Sequence, residues 1–527
     1  MPPPAVNETA SAPPSQSRPA GWAHCLTLFL LFAAGTALRL VCAGCKPFWF
    51  DEAFSVEVAR LDWRNFLHLM WWREANMSLY YVLLKVWLHF GQSPLFIRSF
   101  SAVISGATLP AIYWLAKHLY DRRVALIATA LFAGNAYSIR YAQEARSYSL
   151  FLLLATLSSG LLLSWLRNAD VLRSQFATSK FSNNPSWRYV TASVLAVYAH
   201  LYAILLILCH WIFVTRIAPN STSRARSRIM RAWEIIGLAV LPLLIFVTKT
   251  GAGPIRWIQR PGIRDLFEFL QHLAGGRWPL LLIYVAACIA ALAPAGKRLW
   301  TRNQSWEVLR TQFLLLWLAL PIALTVLLSF ARPVFLPRYM IFCLPPFLIS
   351  VAAGLSRLRP WFLAPALAII LFLGFFQGTM FIYAHDYDDE RDASGAATDL
   401  ILDHTRPGDA IIFHIAETRV PYEFFRSLRA GTNTAKPDGG GQPGPEIVFP
   451  RHGSGLDYRD FTGKPTPELI RRAAQGHRRL WLMLMHNGSI EAPDPTTVLL
   501  SQILAESFPK TRRWQFSKVE VRLYSKE

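Results

Sequence analysis

Charge is scarce in this chain. Asp, Glu, Lys and Arg together make up 17% of its residues, whereas an average soluble domain carries about 25%. That shortage excludes an ordinary soluble globular protein. Acids are scarcer than bases, with 33 Asp and Glu against 54 Lys and Arg. The basic excess comes with no nucleic-acid recognition motif, so it argues for membrane orientation and against a nucleic-acid partner. Cysteine is sparse as well: six residues, all in or beside apolar segments. Cys42-Ala43-Gly44-Cys45 has a CxxC spacing, but no second Cys/His pair stands near it, which argues against a zinc site. Two readings stay open for these thiols, packing in or near the bilayer and a disulfide facing an oxidising compartment. No internal repeat is visible. No clear small-residue cleavage site follows the first apolar segment, so that segment reads as a retained helix and not as a secretory signal.

What the chain has in abundance is apolar sequence, 53% of all residues, with 13% aromatic. Residues 1–20 are rich in Pro, Ser and Ala and read as a disordered tail. Residues 22–43 are long enough to cross the hydrocarbon core. Residues 44–94 form a first outer loop, where Trp63, Phe66, Leu67, Met70 and Trp71 recur at helical spacing, the pattern of amphipathic interfacial helices. Further spans are expected at about 95–116, 124–139, 149–166, 232–248, 279–293, 312–330, 340–355 and 361–383. Two short helices are expected within 189–215, with His200 at their outer turn. About eleven spans result, and basic loops such as 117–123 and 216–231 fall on one side, the cytoplasmic one. Beyond residue 384 charge rises, Ala410 to Phe413 and Leu480 to Leu484 read as buried strands, and Pro467 to Ala474 reads as a short helix. The expected organisation is a tail (1–20), a membrane domain (21–384) and a small soluble α/β domain (385–527) on the same, extracytoplasmic side as Asp51.

Span parity gathers several polar clusters on the outer face. They are Asp51-Glu52, Glu74 with Asn76, Lys85, the run Gln143-Glu144-Ala145-Arg146-Ser147-Tyr148, His200 with Tyr202, and Arg338-Tyr339. Each has a bland reading by itself: a helix cap for Asp51, an interfacial ion pair for Glu144 and Arg146, snorkelling for Lys85 and Arg338, a helix-end hydrogen bond for His200. Their convergence on one face argues for chemistry, because adjacent acids at a membrane boundary are costly. The set suits transfer of a sugar from a lipid phosphate. An acceptor hydroxyl must lose its proton, and a carboxylate such as Asp51 can take it, with Glu52 beside it as a second acid. The leaving phosphate needs positive charge, which arginine supplies. One base without an acid partner also separates the reaction from glycoside hydrolysis.

These residues carry a family resemblance. Phe48-Trp49-Phe50-Asp51-Glu52 after the first span resembles the acidic first-outer-loop motif of GT-C glycosyltransferases. The branch that fits is that of protein O-mannosyltransferases and bacterial aminoarabinose transferases, dolichyl-phosphate-mannose-protein mannosyltransferase-like. Leu79-Tyr80-Tyr81-Val82-Leu83-Leu84-Lys85 resembles its Pro-Leu-Tyr-Tyr-type segment, and Arg98 follows at the family's distance. Gln143 to Tyr148, Tyr198-Ala199-His200 and Pro337-Arg338-Tyr339 have counterparts too. One departure is that Asn76-Met77-Ser78 stands where many relatives have His-Pro-Pro. The resemblance implies a polytopic α-helical membrane protein that uses an undecaprenyl- or dolichyl-phosphate sugar and transfers with inversion. Asp51 would be the base or would orient the acceptor. It implies Arg146, Arg338 and Tyr339, with Lys85 and Tyr81, about the donor phosphate and lipid. Some members hold a divalent cation (Mg or Mn), which makes Glu144 and His200 candidate ligands. The acceptor would be a hydroxyl on a protein, a lipid or a glycan.

The main competing reading is a transporter or flippase of a lipid-linked saccharide. Transporters place polar residues near the bilayer midplane, often in repeated halves. Here the polar clusters sit at span ends on one side, and no repeat is visible.

Overall fold

The computed structural model describes residues 20–72, 74–168, 186–217, 223–251, 258–299, 305–380, 393–431, 444–450, 465–485 and 494–526. The expected tail at 1–20, save its last residue, and the expected boundary at 384/385 lie outside them.

Helices α1 (Ala20–Leu40) and α5 (Pro94–Leu119) bracket three shorter ones, α2 (Phe50–Arg60), α3 (Trp63–Trp72) and α4 (Ser78–Trp87). There follow α6 (Arg122–Ala133), α7 (Ala136–Ala142), α8 (Tyr148–Asn168), α9 (Trp187–Ala199), α10 (Ala203–Ile212) and α11 (Ser223–Thr250). The apolar part ends with α12 (Ile263–Ala274), α13 (Trp278–Leu299), α14 (Trp306–Ala331), α15 (Leu344–Leu355) and α16 (Pro360–Gly374). Among the described residues, seven helices are long and apolar enough to cross a membrane, or eight if the bent pair α12 and α13 makes one span. The expected number of eleven is therefore not established by length and composition. The shortfall falls on α6, α9 and α10, of 12, 13 and 10 residues.

Local sequence explains where these helices begin and break. Ser93 caps α5 by accepting from the Phe96 amide, with Pro94 in the first turn. The expected span at 124–139 is broken at Gly134-Asn135, where Asn135 caps α7. The break leaves carbonyls at the end of α6 that apolar surroundings cannot satisfy. Arg39 from α1, fully buried, donates to Phe132 O (3.0 Å) and Ala133 O (3.2 Å), and to the hydroxyls of Ser105 and Ser138. Between the spans expected at 232–248 and 279–293 lies a further helix, α12. Close helix contacts use glycine: a Cβ on Gly354 of α15 would lie 1.9 Å from Ala287 O of α13. Cys42 and Cys45 form a disulfide in the turn after α1, so the oxidised reading of this pair holds.

The first outer loop differs from a set of surface helices. In α2, Glu52 to Ala59 are all buried. Helix α3 is two-faced, with Phe66, Leu69 and Met70 inside and Trp63, Leu67, Trp71 and Trp72 exposed, and so is α4, with Tyr80, Tyr81 and Leu84 inside and Leu83 and Val86 exposed.

The C-terminal part is a five-stranded mixed sheet in the order β2-β1-β3-β5-β4. Strands β1 (Ala410–Phe413), β2 (Glu446–Phe449) and β3 (Arg479–Met485) are parallel. Strand β5 (Val519–Ser525) pairs antiparallel with β3, and β4 (Lys510–Phe516) pairs antiparallel with β5 as a hairpin at the sheet edge. Helices α17 (Ser394–His404) and α18 (Ala416–Arg429) lie towards one face, with Ala397, Ile401 and Tyr422 in its core. Helices α19 (Pro467–Ala474) and α20 (Pro495–Ser507) cover the other, through Ile470, Leu500, Ile503 and Leu504. The parallel strands β1 and β3 are buried on both faces, the usual state of parallel strands between helices, whereas the edge strand β4 is mostly exposed.

Candidate active site

The site is built on the N-terminus of α2. Asp51 and Glu52 fall in its first turn, where the helix dipole favours negative charge. Successive residues on a helix point about 100° apart, so the two acids meet different partners.

Glu52 faces inward and is fully buried. Its carboxylate receives Arg98 Nε (2.8 Å) and Nη2 (2.6 Å), and Oε1 also accepts from the Ala145 amide (2.9 Å). Arg98 in turn donates to the carbonyls of Ala43, Lys46 and Pro47. This pair ties the disulfide turn, α2, α5 and the 143–147 loop together, so Glu52 holds the site and does not face it. Glu52→Gln leaves the Arg98 charge buried without its anion. Thermal unfolding of the purified variant is expected to show a loss of about 3–5 kcal/mol.

Asp51 faces the cluster. Its Oδ2 is buried and makes no hydrogen bond, yet lies 3.8 Å from Arg146 and 3.7 Å from Arg338. Arg146 also donates to Asp51 O and to Ser55 Oγ, at 3.3 and 3.4 Å, which fixes it against α2. Two guanidinium groups thus flank one carboxylate, just beyond hydrogen-bond reach.

Around them stand donors without acceptors. Tyr148 Oη and Arg146 Nε are buried and unpaired. His200, at the break between α9 and α10, accepts from the Tyr202 amide at Nδ1 (3.2 Å), which leaves the proton on Nε2. That Nε2 is buried and unpaired as well. Burial, together with Arg146 and Arg338, pushes His200 down to about 3, so the ring is neutral. Tyr339 closes this side, its ring 4.7 Å from His200 and 5.1 Å from Tyr202.

Glu74 is a further acid here, named on the outer face by span parity but without a role in the sequence reading. Tyr81 Oη donates to its Oε1 at 3.4 Å. Burial pushes its carboxyl up to about 7, against the downward pull of Arg146 and the Tyr81 hydrogen bond, with Asp51 adding to the rise. Its position is set by a turn in which Met77 takes a left-handed conformation (φ 74°) and Asn76 Oδ1 accepts from the Leu201 amide. Asn76 therefore ties the first outer loop to the His200 turn.

The structure thus brings Asp51, Arg146, Arg338, Tyr339, His200 and, through Glu74, Tyr81 to one place. It puts Lys85 elsewhere. Lys85 Nζ donates to the carbonyls of Ala59 and Leu61 at the end of α2 and sits 5.2 Å from the Trp63 ring. Glu144 is buried in the loop leading to Arg146. As a cation site the pair Glu144 and His200 does not fit, because the His200 nitrogen left over carries a proton and is a donor. Among the described residues no three His, Cys, Asp or Glu side chains gather to hold a metal ion.

Neither a family model nor a curated protein matches this chain. Solved structures do. The aminoarabinose transferase ArnT from Cupriavidus metallidurans in its apo state superposes with a TM-score of 0.60 at 12% identity, covering 96% of this chain and 99% of that one. The same enzyme bound to undecaprenyl phosphate gives 0.60 at 13% identity, over 95% and 98%. The Archaeoglobus fulgidus oligosaccharyltransferase in complex with Zn and sulfate gives 0.51 at 11% identity, over 86% and 67%. The chain therefore shares the fold of these structures over most of its length.

Proposed function

We propose that this chain is a multi-pass membrane glycosyltransferase that moves a sugar from a polyprenyl-phosphate donor to an acceptor hydroxyl, with inversion. The observation that carries the reading is the cluster of unsatisfied groups around Asp51. Buried polar groups without partners cost about 1–3 kcal/mol each, so natural proteins keep few of them outside functional sites. The unsatisfied Arg146 Nε–H, His200 Nε2–H and Tyr148 hydroxyl are donors suited to a phosphate, Arg338 adds positive charge beside them, and Asp51 Oδ2 is an acceptor suited to a hydroxyl. Undecaprenyl phosphate, the ligand held by the ArnT structure, is a molecule of that kind.

In this reading the acceptor hydroxyl hydrogen-bonds to Asp51 Oδ2. Its oxygen attacks the anomeric carbon as the bond from that carbon to the phosphate oxygen breaks. The proton goes to Asp51, and the electron pair goes to the phosphate, whose charge Arg146 and Arg338 balance. Exposed aromatic and apolar surface on α3 and its neighbours offers the polyprenyl tail an apolar path. We place the site and the sheet domain on the extracytoplasmic side, the side that eleven spans would give them and that a disulfide at Cys42–Cys45 favours.

The test is saturable binding of undecaprenyl phosphate to the purified protein in nanodiscs. Absence of saturable binding would remove the reading. Glu74 adds a sign to the expected result. Below about pH 7 its carboxyl is neutral and leaves the Arg146 charge to the ligand. Above that pH its negative charge competes. Binding is therefore expected to weaken a few-fold from pH 6 to pH 8, and Glu74→Gln to flatten the dependence, on the order of one elementary charge moved near the site. The phosphate's own ionisation, at about pH 6, is common to both proteins.

A further inference from the structure

The sheet domain has no role in the chemistry described so far, yet one of its helices grips α2 at both ends. At the entry to α2, the Phe48 and Phe424 rings stack with centroids 4.7 Å apart. Phe50, next to Asp51, packs against the sheet-domain core that contains Ile401 and Tyr422. At the far end, Arg60 Nη1 donates to Ser427 Oγ (3.0 Å) and to Glu57 (2.7 Å), and its guanidinium lies 5.6 Å from the Phe424 ring. Phe424 and Ser427 are both on α18 and are buried. Val420 and Phe424 belong to the core of the membrane domain, not to that of the sheet. The sheet has its own core on the opposite face, around Leu500, Ile470 and Leu482. Its folding thus does not require that Phe424 reach across to α2.

We propose that the C-terminal domain sets the position of Asp51 through α18, with Phe424 and Ser427 as positioning residues for sugar transfer. The inference rests on the function proposed above. Asp51 is one helical turn from the Phe48 stack, and the donor arginines reach it at 3.7 and 3.8 Å. A carboxylate at that distance is sensitive to small shifts of its helix, because a displacement of about 1 Å can cost a hundredfold in rate. The domain therefore acts on the turnover step, while the donor lipid, held by Arg146 and Arg338, binds much as before.

The experiment uses the full-length protein in vesicles with an undecaprenyl-phosphate-linked sugar that the wild type turns over. Phe424→Ala is expected to lower kcat by about tenfold to a hundredfold, with the donor KM nearly unchanged. Phe424→Leu should restore most of kcat. The double variant Phe48→Ala/Phe424→Ala should be no slower than the slower single one, since the two rings act as one contact. Leu500→Ala, which opens the far core, should lower the melting temperature and leave kcat alone. Wild-type kcat in Phe424→Ala, or an equal loss in Leu500→Ala, would overturn the positioning role while the transferase reading stands. No turnover of any such donor by the wild type would overturn that reading and this inference with it.

Discussion

Asp51→Asn is expected to lower sugar transfer by about 10²–10⁴-fold, the range lost with a general base. The substitution keeps the shape and can still accept a hydrogen bond from the acceptor. It removes the basicity that draws the proton away as the new bond forms. It also removes an anion shared by Arg146 and Arg338, which lie 3.8 and 3.7 Å from Oδ2. Without that anion the two guanidinium groups repel each other, so empty sites become less favourable and the donor phosphate binds at least as well. The check is transfer of labelled sugar by variant and wild type at equal amounts of folded protein, with the donor KM measured in each. A fall in kcat with an unchanged or lower donor KM is the expected pattern. The fold should survive, because Asp51 contributes long-range ion pairs only, whereas its neighbour Glu52 makes the bidentate contact to Arg98.

Arg338→Ala is expected to act on the other substrate. A hydrogen bond to a charged group contributes about 1.5–3 kcal/mol, so the donor should bind about ten- to a hundredfold more weakly. The acceptor KM should move little. Arg338→Lys should recover only part of the loss, since an ammonium keeps the charge but not the planar fork that matches phosphate. The check is undecaprenyl phosphate affinity beside initial rates at varied acceptor. Equal donor affinity in Arg338→Ala and wild type would remove this residue from the phosphate site.

Much of the architecture is legible in the residues. Composition and hydropathy give the membrane class. The polar interruption at Tyr198 to Tyr202 gives the break that sets His200 at a turn. Local apolar runs give β1 and β3, and Pro467 to Ala474 reads as the helix α19. The exposed and polar strands escape: β4 has the pattern of a solvated edge, with Arg512 and Arg513 exposed, and shows no apolar run to read. The break of the 124–139 span escapes because its stability comes from Arg39, over ninety residues away in sequence.

The site divides in the same way. Asp51, Arg146, Arg338 and Tyr339 can be grouped by parity alone, since each stands at a span end on one side. The roles of Asp51 and Glu52 cannot be told apart locally, because they differ only in which way the first turn of α2 points them. Glu52 meets Arg98 across 46 residues, a contact no local pattern records. Lys85 shows the limit of resemblance. Its segment resembles the Pro-Leu-Tyr-Tyr-type segment, yet its side chain closes the end of α2. Glu74 stands out only once burial is known, for nothing in its neighbours announces a desolvated carboxyl.

The measurement that bears most directly on the whole account is the fate of a polyprenyl-phosphate sugar labelled in both parts, given to the protein reconstituted in vesicles with an acceptor. A transferase cleaves the molecule, so free undecaprenyl phosphate should appear in step with labelled acceptor, and both should vanish in Asp51→Asn. Intact lipid-linked sugar crossing to the other leaflet, with no phosphate released and no loss in Asp51→Asn, would identify a flippase and contradict the account.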